Sequence, residues 1–458
     1  MSVQWYVFVF GYTLALGKDV GGVIGNLDNF FYMDVPHLTP ASAAPTIPGV
    51  VWATFQIMFA VITPLLITGA FSERVKFGKY LAFIVLWSTV VYYPLCHWVW
   101  GGGFLAEYGV IDFAGGIVIH VPAGVSSLVV AIVLGPRTGF DPDSTSWDTE
   151  APPHSIALAV IGASMLWLGW FGFNAGSALA AGVTAASMII TTHIAASVAG
   201  TIWISMSWVE DGKPSLVATI NVCVAGLAGI TPASGFVSSQ MDFLGGLIIG
   251  FGSYYAVKLF KGKLKIDDAL DVSSVHGVTG LIGSLWIGVA ADTKLGSYNT
   301  LDGLFYGGGA NLLGIQIVGV LVAGVWAAIW TFVICKLLGG KEGMRRTRSA
   351  TARPPAYRHV AERSGKLAAQ YGRHARPRLL GQLPGRCGGW HARHRAGRDG
   401  RALSVSKRPR CPQGGRKQNE GAPTTSYANR CSSCGFALIP RCPRVALSRH
   451  CTGMRGYA

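Results

Sequence analysis

Two stretches decide how this chain must fold: Asp112-Phe-Ala-Gly-Gly-Ile-Val-Ile-His120 and Asp268-Ala-Leu-Asp-Val-Ser-Ser-Val-His276. In each, an aspartate is followed eight positions later by a histidine. If both runs are helical, each histidine lies roughly 12 Å further along than its aspartate, at about 1.5 Å of rise per residue. An ionisable side chain that deep in an apolar segment is costly and usually faces a cavity or a pathway. The alternative is a structural histidine inside a helix bundle, which the repeated spacing makes less attractive.

Composition indicates a protein with several membrane-spanning helices. Of the 458 residues, 50% are hydrophobic and 13% are charged, which is typical of polytopic membrane proteins rather than soluble ones. Most of the apolar runs approach the ~20 residues that a spanning helix needs. Ten such runs lie near residues 3–17, 50–70, 79–98, 114–134, 155–173, 183–208, 214–230, 241–260, 272–290 and 310–338. We therefore predict an all-α polytopic membrane protein with about ten spans.

The charges of the connecting loops predict the orientation. Basic residues are concentrated in alternate loops, whereas the loops between them hold only Lys18 and Lys294. By the positive-inside rule, the basic loops are cytoplasmic. They are residues 72–76, 136–137, 211–213, 258–265 and 336–341. Ten alternating spans then place both termini on the cytoplasmic side of a plasma or inner membrane.

The two Asp–His motifs fall in the fourth and ninth spans, which run in opposite directions. Opposed copies of one motif indicate inverted-topology repeats, the arrangement of many transporters with a site near the membrane midplane. Such a pair requires an odd number of spans in each half. Spans five to nine make five, whereas spans one to four make only four. This count predicts a further helix before residue 1.

The end of the chain differs in chemistry from the rest. Residues 1–343 hold 13 Lys+Arg and 19 Asp+Glu, a net charge of −6, and residues 344–458 hold 25 and 3, a net charge of +22. We therefore divide the chain into a transmembrane domain, residues 1–343, and a basic tail, residues 344–458. The Arg-, Ala-, Pro- and Gly-rich tail lacks apolar periodicity, which predicts disorder.

Three interpretations of the tail were compared. A basic tail could bind anionic lipid or nucleic acid, and Cys431-Ser-Ser-Cys434 is a weak signal for zinc because its partners are irregularly spaced. We favour the third, a GC-rich gene read out of frame, and we expect neither a nucleic-acid partner nor a metal.

Several segments together resemble the Amt branch of the ammonium transporter family (the Amt/Mep/Rh superfamily). The resemblance covers roughly residues 4–343 and implies inverted five-helix repeats plus a long last helix, with the first of eleven helices absent. It also implies a homotrimer with one pore in each subunit, and an ammonium transporter that is not an enzyme and has no cofactor. The segments are Phe55-Gln-x-x-Phe59, Ser72-Glu-Arg74, Trp98-Val-Trp-Gly-Gly-Gly103, Asp112-Phe-Ala-Gly-Gly-x-x-x-His120, Gly169-Trp-Phe-Gly-Phe-Asn-Ala-Gly-Ser177 and Asp271-Val-x-x-x-His-Gly277.

The resemblance implies a role for each matching position. Ammonium would be recruited at an outer aromatic site and deprotonated near a gate, and ammonia would pass two imidazoles, because a bare ion pays a large desolvation penalty in an apolar pore. Histidine suits the pore because it titrates near neutrality and has two distinct nitrogens. The implied residues are Trp100, Ser177 and Phe55 for substrate binding, Phe59 and Phe173 for the gate, His120, His276 and Trp170 for the pore, and Asp112 and Asp268 for structural support.

Two other functions were weighed against transport. One is an ammonium sensor with the same fold and little flux. The other is an intramembrane enzyme using the histidine pair with Asp112 or Asp268 as metal ligands, although metal sites usually need three or more convergent ligands. His97 and His193 have no aspartate eight residues before them and are interpreted as structural.

Two positions depart from the family pattern. Leu270 stands where some members carry a cysteine, a change that we expect to be tolerated. The family's cytoplasmic ending, which often meets a PII-type signalling protein, should follow Gly343-Met-Arg345 and is not recognisable here. This argues against a PII-type partner.

Overall fold

The computed structural model describes residues 6–137, 140, 155–212, 214–295 and 298–346. Within these ranges, eight helices are long and apolar enough to cross a membrane, and two shorter apolar helices accompany them. Each of the ten coincides with one of the ten apolar runs, so the prediction of an all-α polytopic membrane protein is confirmed. The predicted disorder of the tail concerns residues that lie, from 347 onward, outside the described ranges.

The ten helices are numbered in chain order. They are α1 (Val7–Leu16), α2 (Gly49–Phe71), α3 (Phe77–Tyr108), α4 (Gly116–Leu134), α5 (Ile156–Gly176), α6 (Val183–Glu210), α7 (Leu216–Ile230), α8 (Ser239–Lys263), α9 (Ser273–Ala290) and α10 (Asn311–Leu337). A short helix, Gly340–Met344, follows α10. Helices α5, α7 and α8 begin after Ser155, Ser215 and Ser238, whose hydroxyls accept a backbone N–H from the first turn. Serine is favoured there because the first N–H groups of a helix have no partner within the helix.

Two small antiparallel hairpins lie between α1 and α2. Strand β1 (Asp19–Val20) pairs with β2 (Ile24–Gly25), so that Asp19 faces Gly25 and Val20 faces Ile24. Strand β3 (Pro40–Ala41) pairs with β4 (Ala44–Pro48), with a register shift between Pro40 and Ala41. Helix α2 then begins at Gly49, directly after Pro48.

Several spans contain π-helical turns, in which each N–H bonds to the carbonyl five residues earlier. One such turn, Ser88–Tyr92, interrupts α3. Two others form the first turns of α4, Gly116–His120, and of α9, Ser273–Val278. Such turns widen the helix locally and occur frequently at functional sites. Both motif histidines therefore lie in widened first turns.

Helices α4 and α9 are in backbone contact. A Cβ atom added to Gly124 would lie 2.1 Å from the Cα atom of Gly277, and one added to Gly280 would lie 2.7 Å from the Cβ atom of His120. Small residues allow membrane helices to approach this closely. The two Asp–His copies are thus held against each other at the centre of the bundle.

A buried hydroxyl cluster joins α3, α4 and α10. The indole N–H of Trp87 donates to Ser126 Oγ at 2.9 Å and to Thr331 Oγ1 at 3.1 Å. The two hydroxyls are themselves hydrogen-bonded at 2.7 Å. All three side chains are fully buried, and their mutual pairing satisfies polar atoms that would otherwise be costly in an apolar interior.

A buried ion cluster joins three loops on the side predicted to be cytoplasmic. Arg137 donates from Nε and Nη2 to the carboxylate of Asp267 at 3.0 and 2.8 Å, and Arg74 Nη1 lies 3.6 Å from the same carboxylate. Arg74 also donates to the main-chain oxygens of Gly135 and Asp267. Burial favours the neutral acid, but the hydrogen bonds and the charges of Arg137 and Arg74 outweigh it and hold the pKa of Asp267 below its usual value.

Residues 344–346 contact the loop that follows α2. Met344 is fully buried, its carbonyl accepts the N–H of Lys76 at 2.9 Å, and the N–H of Arg346 donates to the carbonyl of Arg74 at 2.8 Å. The domain boundary between residues 343 and 344 stays a prediction.

Candidate functional site

An open cavity of about 360 Å³ contains most of the residues assigned to the outer site. It is bordered by parts of α2 and α3 and by the segment that follows α5. Its lining includes Phe55, Phe59, Trp100, Asp112, Ser177 and Tyr298. The structure therefore brings together Phe55, Trp100 and Ser177, which are far apart in the chain.

Trp100 is half-buried at the edge of this cavity. Its indole N–H donates to the main-chain oxygen of Asp112 at 2.8 Å, and its ring centroid lies 5.8 Å from that of Phe59. The hydroxyl of Tyr298 donates to the same oxygen of Asp112 at 3.1 Å. Because the N–H group is already bonded, the indole offers the cavity its aromatic surface. Tyr298 could not be singled out from the sequence, because no motif surrounds it.

Ser177 follows the last residue of α5. Its hydroxyl donates to the carbonyl of Phe173, one turn earlier, at 2.8 Å. A hydroxyl has one proton and two lone pairs, so Ser177 Oγ can still accept an N–H from the cavity.

Three phenylalanines pack edge to face beneath the cavity. The ring centroids of Phe55 and Phe59 are 4.7 Å apart with an interplanar angle of 84°. Those of Phe59 and Phe173 are also 4.7 Å apart, with an angle of 88°. Phe173 lies 6.1 Å from the ring of His120. A series of ring contacts thus leads from Trp100 through Phe59 and Phe173 to the first motif histidine.

The two motif histidines are in direct contact. Their Nδ1 atoms are 3.2 Å apart, and their ring centroids are 5.2 Å apart with an interplanar angle of 20°. Such an Nδ1–Nδ1 hydrogen bond needs a proton on one nitrogen and a lone pair on the other. The pair therefore shares one proton at this contact, and Nε2 of the buried His120 has no partner within the described ranges.

Trp170 supports His120 from α5. The two rings stack at 5.7 Å with an interplanar angle of 17°, and Trp170 also stacks on Phe173 at 5.1 Å. The indole N–H donates to Thr231 Oγ1 at 2.8 Å, and that hydroxyl donates to the carbonyl of Leu227. Thr231 was not found from the sequence, because a threonine at the end of an apolar run carries no distinguishing signal.

The two aspartates of the motif differ in their contacts. Asp112 accepts four backbone N–H groups, from residues 115 to 118, at 2.7 to 3.1 Å. Asp268 accepts the N–H of Ser273 at 2.7 Å, and its Oδ1 atom is buried without a partner among the residues that the structure describes. Asp112 therefore caps the first turn of α4, where the helix N-terminus favours a negative charge.

The other two histidines of interest lie outside the series of rings. His193 in α6 packs beside Trp167 and Phe171, with ring centroids 5.4 and 6.2 Å away. His97 in α3 is bonded to Ala15 and Asp19.

A family model described as "Ammonium Transporter Family" matches residues 1–360. The chain belongs to the ammonium transporter family. Ammonium transporter 1 of Dictyostelium discoideum is 51% identical over 346 residues, which are 75% of this chain and 73% of that relative. The ammonium transporter of Aquifex aeolicus is 43% identical over 345 residues, which are 75% of this chain and 78% of that relative.

Similarity to solved structures supports the same family assignment. Mep2 of Saccharomyces cerevisiae superposes with a TM-score of 0.69 at 33% identity, covering 77% of this chain and 80% of that one. A structure titled "Sensor Amt Protein" superposes with a TM-score of 0.67 at 31% identity, covering 75% and 83%. The resemblance inferred from the motifs is confirmed, and the chain is a multi-pass membrane protein of a transporter family.

Proposed function

We propose that this protein transports ammonium by recruiting the ion at Trp100 and Ser177 and passing ammonia along His120 and His276. The observation that carries this proposal is the pair of Nδ1 atoms 3.2 Å apart, reached by continuous ring contacts from an open cavity. A multi-pass member of the family with such a path can move a small molecule from one side to the other.

Recruitment follows from the chemistry of the cavity. A cation over an indole face gains about 0.5–2 kcal/mol, with the larger value where water is excluded. The Trp100 ring is half-buried and its N–H is occupied by Asp112. Ser177 Oγ retains lone pairs, because its own proton is given to Phe173. An ammonium ion in the cavity would thus meet an aromatic face and one oxygen acceptor.

Deprotonation follows from the character of the next contacts. The rings of Phe59 and Phe173 offer no strong hydrogen-bond acceptor, and Phe59 is 2% exposed. An ion entering this apolar contact would lose its hydration without a replacement, whereas neutral ammonia loses much less. We therefore place the loss of the proton at or before the phenylalanine pair, where water in the open cavity would accept it.

The histidine pair suits ammonia because it presents both a donor and an acceptor. With one shared proton between the Nδ1 atoms, one ring carries its second-nitrogen lone pair and the other carries its second-nitrogen N–H. Ammonia can donate to the first and accept from the second as it passes. A second proton at the contact would place two N–H groups against each other.

Uptake of methylammonium by cells that lack their own ammonium transport tests the proposal. We expect His120→Asp and His276→Ala each to reduce uptake at least tenfold, and His193→Gln, which alters a histidine outside the ring series, to retain it. Trp100→Leu should raise the half-saturating concentration about fivefold, the loss of one cation–π contact. Uptake at the parent rate by both histidine variants would refute the proposal.

A sensor with little flux is the second candidate, favoured by the structural similarity to the protein titled "Sensor Amt Protein". Binding of methylammonium without uptake, measured in the same cells at matched expression, would favour it. A homotrimer in a plasma or inner membrane, serving nitrogen metabolism, is part of the transport proposal and rests on the family resemblance. The PII-type partner is not part of it.

A further inference from the structure

The outer end of α3 is held by the segment that follows α1. We call residues 15–25 together with residues 97–104 the outer brace. The N–H of Phe104 donates to the carbonyl of Gly22 at 3.0 Å. The indole N–H of Trp98 donates to the carbonyl of Val23, in the turn between β1 and β2, at 2.8 Å. The two segments are therefore joined on both sides of residues 99–103, by the main chain at Phe104 and by the indole at Trp98.

His97 is the buried ionisable group of the outer brace. Its side chain is fully buried, Nδ1 lies 3.1 Å from the carbonyl oxygen of Ala15, and Nε2 lies 2.7 Å from Oδ1 of Asp19. A carbonyl and a carboxylate are both acceptors, whereas a neutral imidazole has only one N–H. With a neutral ring, one of the two contacts would set a lone pair against an oxygen. Both contacts are hydrogen bonds only when both nitrogens carry a proton.

Asp19 is the ionised partner in this contact. Both of its oxygens lie 3.0 Å from the N–H of Gly22, which donates to them. The hydrogen bond from His97 and the one from Gly22 hold the pKa of Asp19 below its usual value. The aspartate is therefore an ionised acceptor, and at this contact the proton lies on Nε2 of the ring.

His97 is connected to Trp100 through the main chain. The carbonyl of His97 accepts the N–H groups of Gly101 and Gly103 at 2.9 and 3.0 Å, which forms the turn directly after Trp100. A Cβ atom on Gly101 would lie 2.4 Å from the Ala15 oxygen and 2.5 Å from Nδ1 of His97. The turn is thus packed against the imidazole ring without spare room, and a shift of the ring would move the turn that carries Trp100.

We propose that Asp19 and the carbonyl of Ala15 hold His97 doubly protonated, and that this pair makes His97 a positioning residue for Trp100. The inference rests on the proposed function, because the position of Trp100 matters for uptake only if Trp100 recruits the ion. It assigns His97 a role beyond packing. It also gives the exposed Asp19, outside the cavity, a measurable effect on substrate affinity.

The pH dependence has a definite sign. The imidazolium form makes two hydrogen bonds and the neutral ring makes one, so removal of the Asp19 charge should matter most at high pH, where no ionic partner then opposes loss of the proton. The ionisable groups on the elements that pack against His97 are Tyr12 on α1, Lys18 and Asp19 after it, Lys79, Tyr80, Tyr92, Tyr93, Cys96, Glu107 and Tyr108 on α3, and His120 on α4. Of these, Asp19 makes the ionic contact with the ring.

The first test is methylammonium uptake as a function of pH. We expect Asp19→Asn to raise the half-saturating concentration about fivefold at pH 8, in line with the loss of one hydrogen bond to a charged group. At pH 5.5 the change should be less than about twofold, and the maximal rate should stay within about twofold at both pH values. Asp28→Asn is the matched control, because it removes the same charge from the same loop after α1, where the carboxylate of Asp28 accepts from the side-chain amide of Asn26 rather than from His97. Asp19→Glu, which keeps the charge, should recover most of the affinity.

The second test reads the protonation state directly. Nitrogen-15 NMR of the histidine-labelled full-length protein at pH 7.5 should show an imidazolium signal that is missing in His97→Gln. If that variant does not fold, the signal is assigned by its loss at high pH in Asp19→Asn. A neutral-ring signal for His97 at pH 7.5 overturns the proposal. If the affinity falls in Trp100→Leu but not in Asp19→Asn, the positioning role is overturned and recruitment at Trp100 stands. If the affinity does not change in Trp100→Leu, recruitment is refuted and the positioning role with it. The NMR result then decides the charge state of His97 alone.

Discussion

The two copies of the Asp–His motif have the same spacing but different hydrogen-bonding partners. We call Asp112–His120 the outer copy and Asp268–His276 the inner copy. The outer copy is held by a complete helix cap, since Asp112 accepts four backbone N–H groups. The inner copy has one such bond, from Ser273 to Asp268. The preceding residue, Asp267, instead joins the buried arginine cluster. Equal spacing therefore predicts equal depth for the two histidines, but it does not predict how each one is held.

The same asymmetry is found at the rings. His120 stacks on Trp170 and Phe173 as well as on its partner. For His276, among the residues that the structure describes, the ring contact found is the one with His120. The outer histidine is thus placed by aromatic packing, whereas the inner one depends on the backbone of α9 and on the loop before it.

The largest effect should come from the support of the inner copy. Asp267→Ala leaves Arg74, which is 2% exposed, without its carboxylate. Removing one partner of a buried ion pair typically costs about 3–5 kcal/mol. The free energy of unfolding in detergent, or the melting temperature, measures it. Asp292→Ala is the control, because Asp292 is half-buried and accepts one backbone N–H from Lys294. A loss no greater than that of the control would show that the cluster does not stabilise the fold.

Acid should reduce the stabilisation that Asp267 provides. The pKa of Asp267 is lowered in the folded protein, so its stabilisation is complete above the unfolded value of about 3.9 and is lost as the pH falls through the folded value. The melting temperature of the parent should therefore fall more steeply below about pH 4 than that of Asp267→Asn, which has no carboxylate to protonate. Parallel curves for the two proteins would contradict this account.

Replacing each motif aspartate in turn should show which of the two copies the aspartate stabilises more. Asp112→Ala leaves four buried N–H groups without their acceptor and should cost about 2–4 kcal/mol, whereas Asp268→Ala removes one bond and should cost about 1 kcal/mol. Unfolding measurements on both variants under one condition provide the comparison. Equal losses would mean that the cap on α4 contributes no more than the single bond on α9.

The smallest expected changes in stability compare a hydroxyl that accepts a hydrogen bond, Thr231, with one that has no partner in the described ranges, Ser274. Thr231→Val removes the acceptor of the Trp170 indole and should cost about 1–2 kcal/mol, with a several-fold loss of uptake as Trp170 shifts against His120. Ser274→Ala removes a buried hydroxyl that has no partner in the described ranges, and should change stability by less than about 0.5 kcal/mol. A larger loss for Ser274→Ala would reveal a partner for that hydroxyl.

Nine of the ten helices could be predicted from the sequence to within four residues at each end, whereas α3 was predicted to end at residue 98 and ends at Tyr108. The run at 50–70 became Gly49–Phe71, and the run at 114–134 became Gly116–Leu134. This agreement has a physical cause, because a helix in lipid must satisfy its own backbone and therefore needs one uninterrupted apolar run. The π-helical turn at Ser88–Tyr92 and the two hairpins after α1 were not predicted, since hydropathy does not register a local change of hydrogen-bond pattern.

The site was predictable only where a motif repeats or resembles the family. The repeated spacing predicts similar depth for His120 and His276, and the family resemblance implies that both line one pore. The partners that hold the site could not be predicted, because Tyr298 is 186 residues from Asp112 and the Arg74 partner Asp267 is 193 residues away. No local pattern specifies such pairs, since they depend on which loop ends the packed helices bring together.

The contact between Gly124 and Gly277 has a consequence for the distance between the two imidazoles. At this crossing the two main chains touch, so the spacing of the imidazole of His120, one turn before Gly124, from that of His276, directly before Gly277, is set by main-chain contact rather than by any side chain. A methyl group there (Gly124→Ala) would meet the opposite Cα atom at 2.1 Å and would push the helices apart by about 1.4–1.9 Å to reach an ordinary carbon–carbon contact of about 3.5–4.0 Å. Such a displacement would lengthen the 3.2 Å Nδ1–Nδ1 contact beyond hydrogen-bonding range, so the absence of a side chain at residue 124 keeps the two imidazoles in contact.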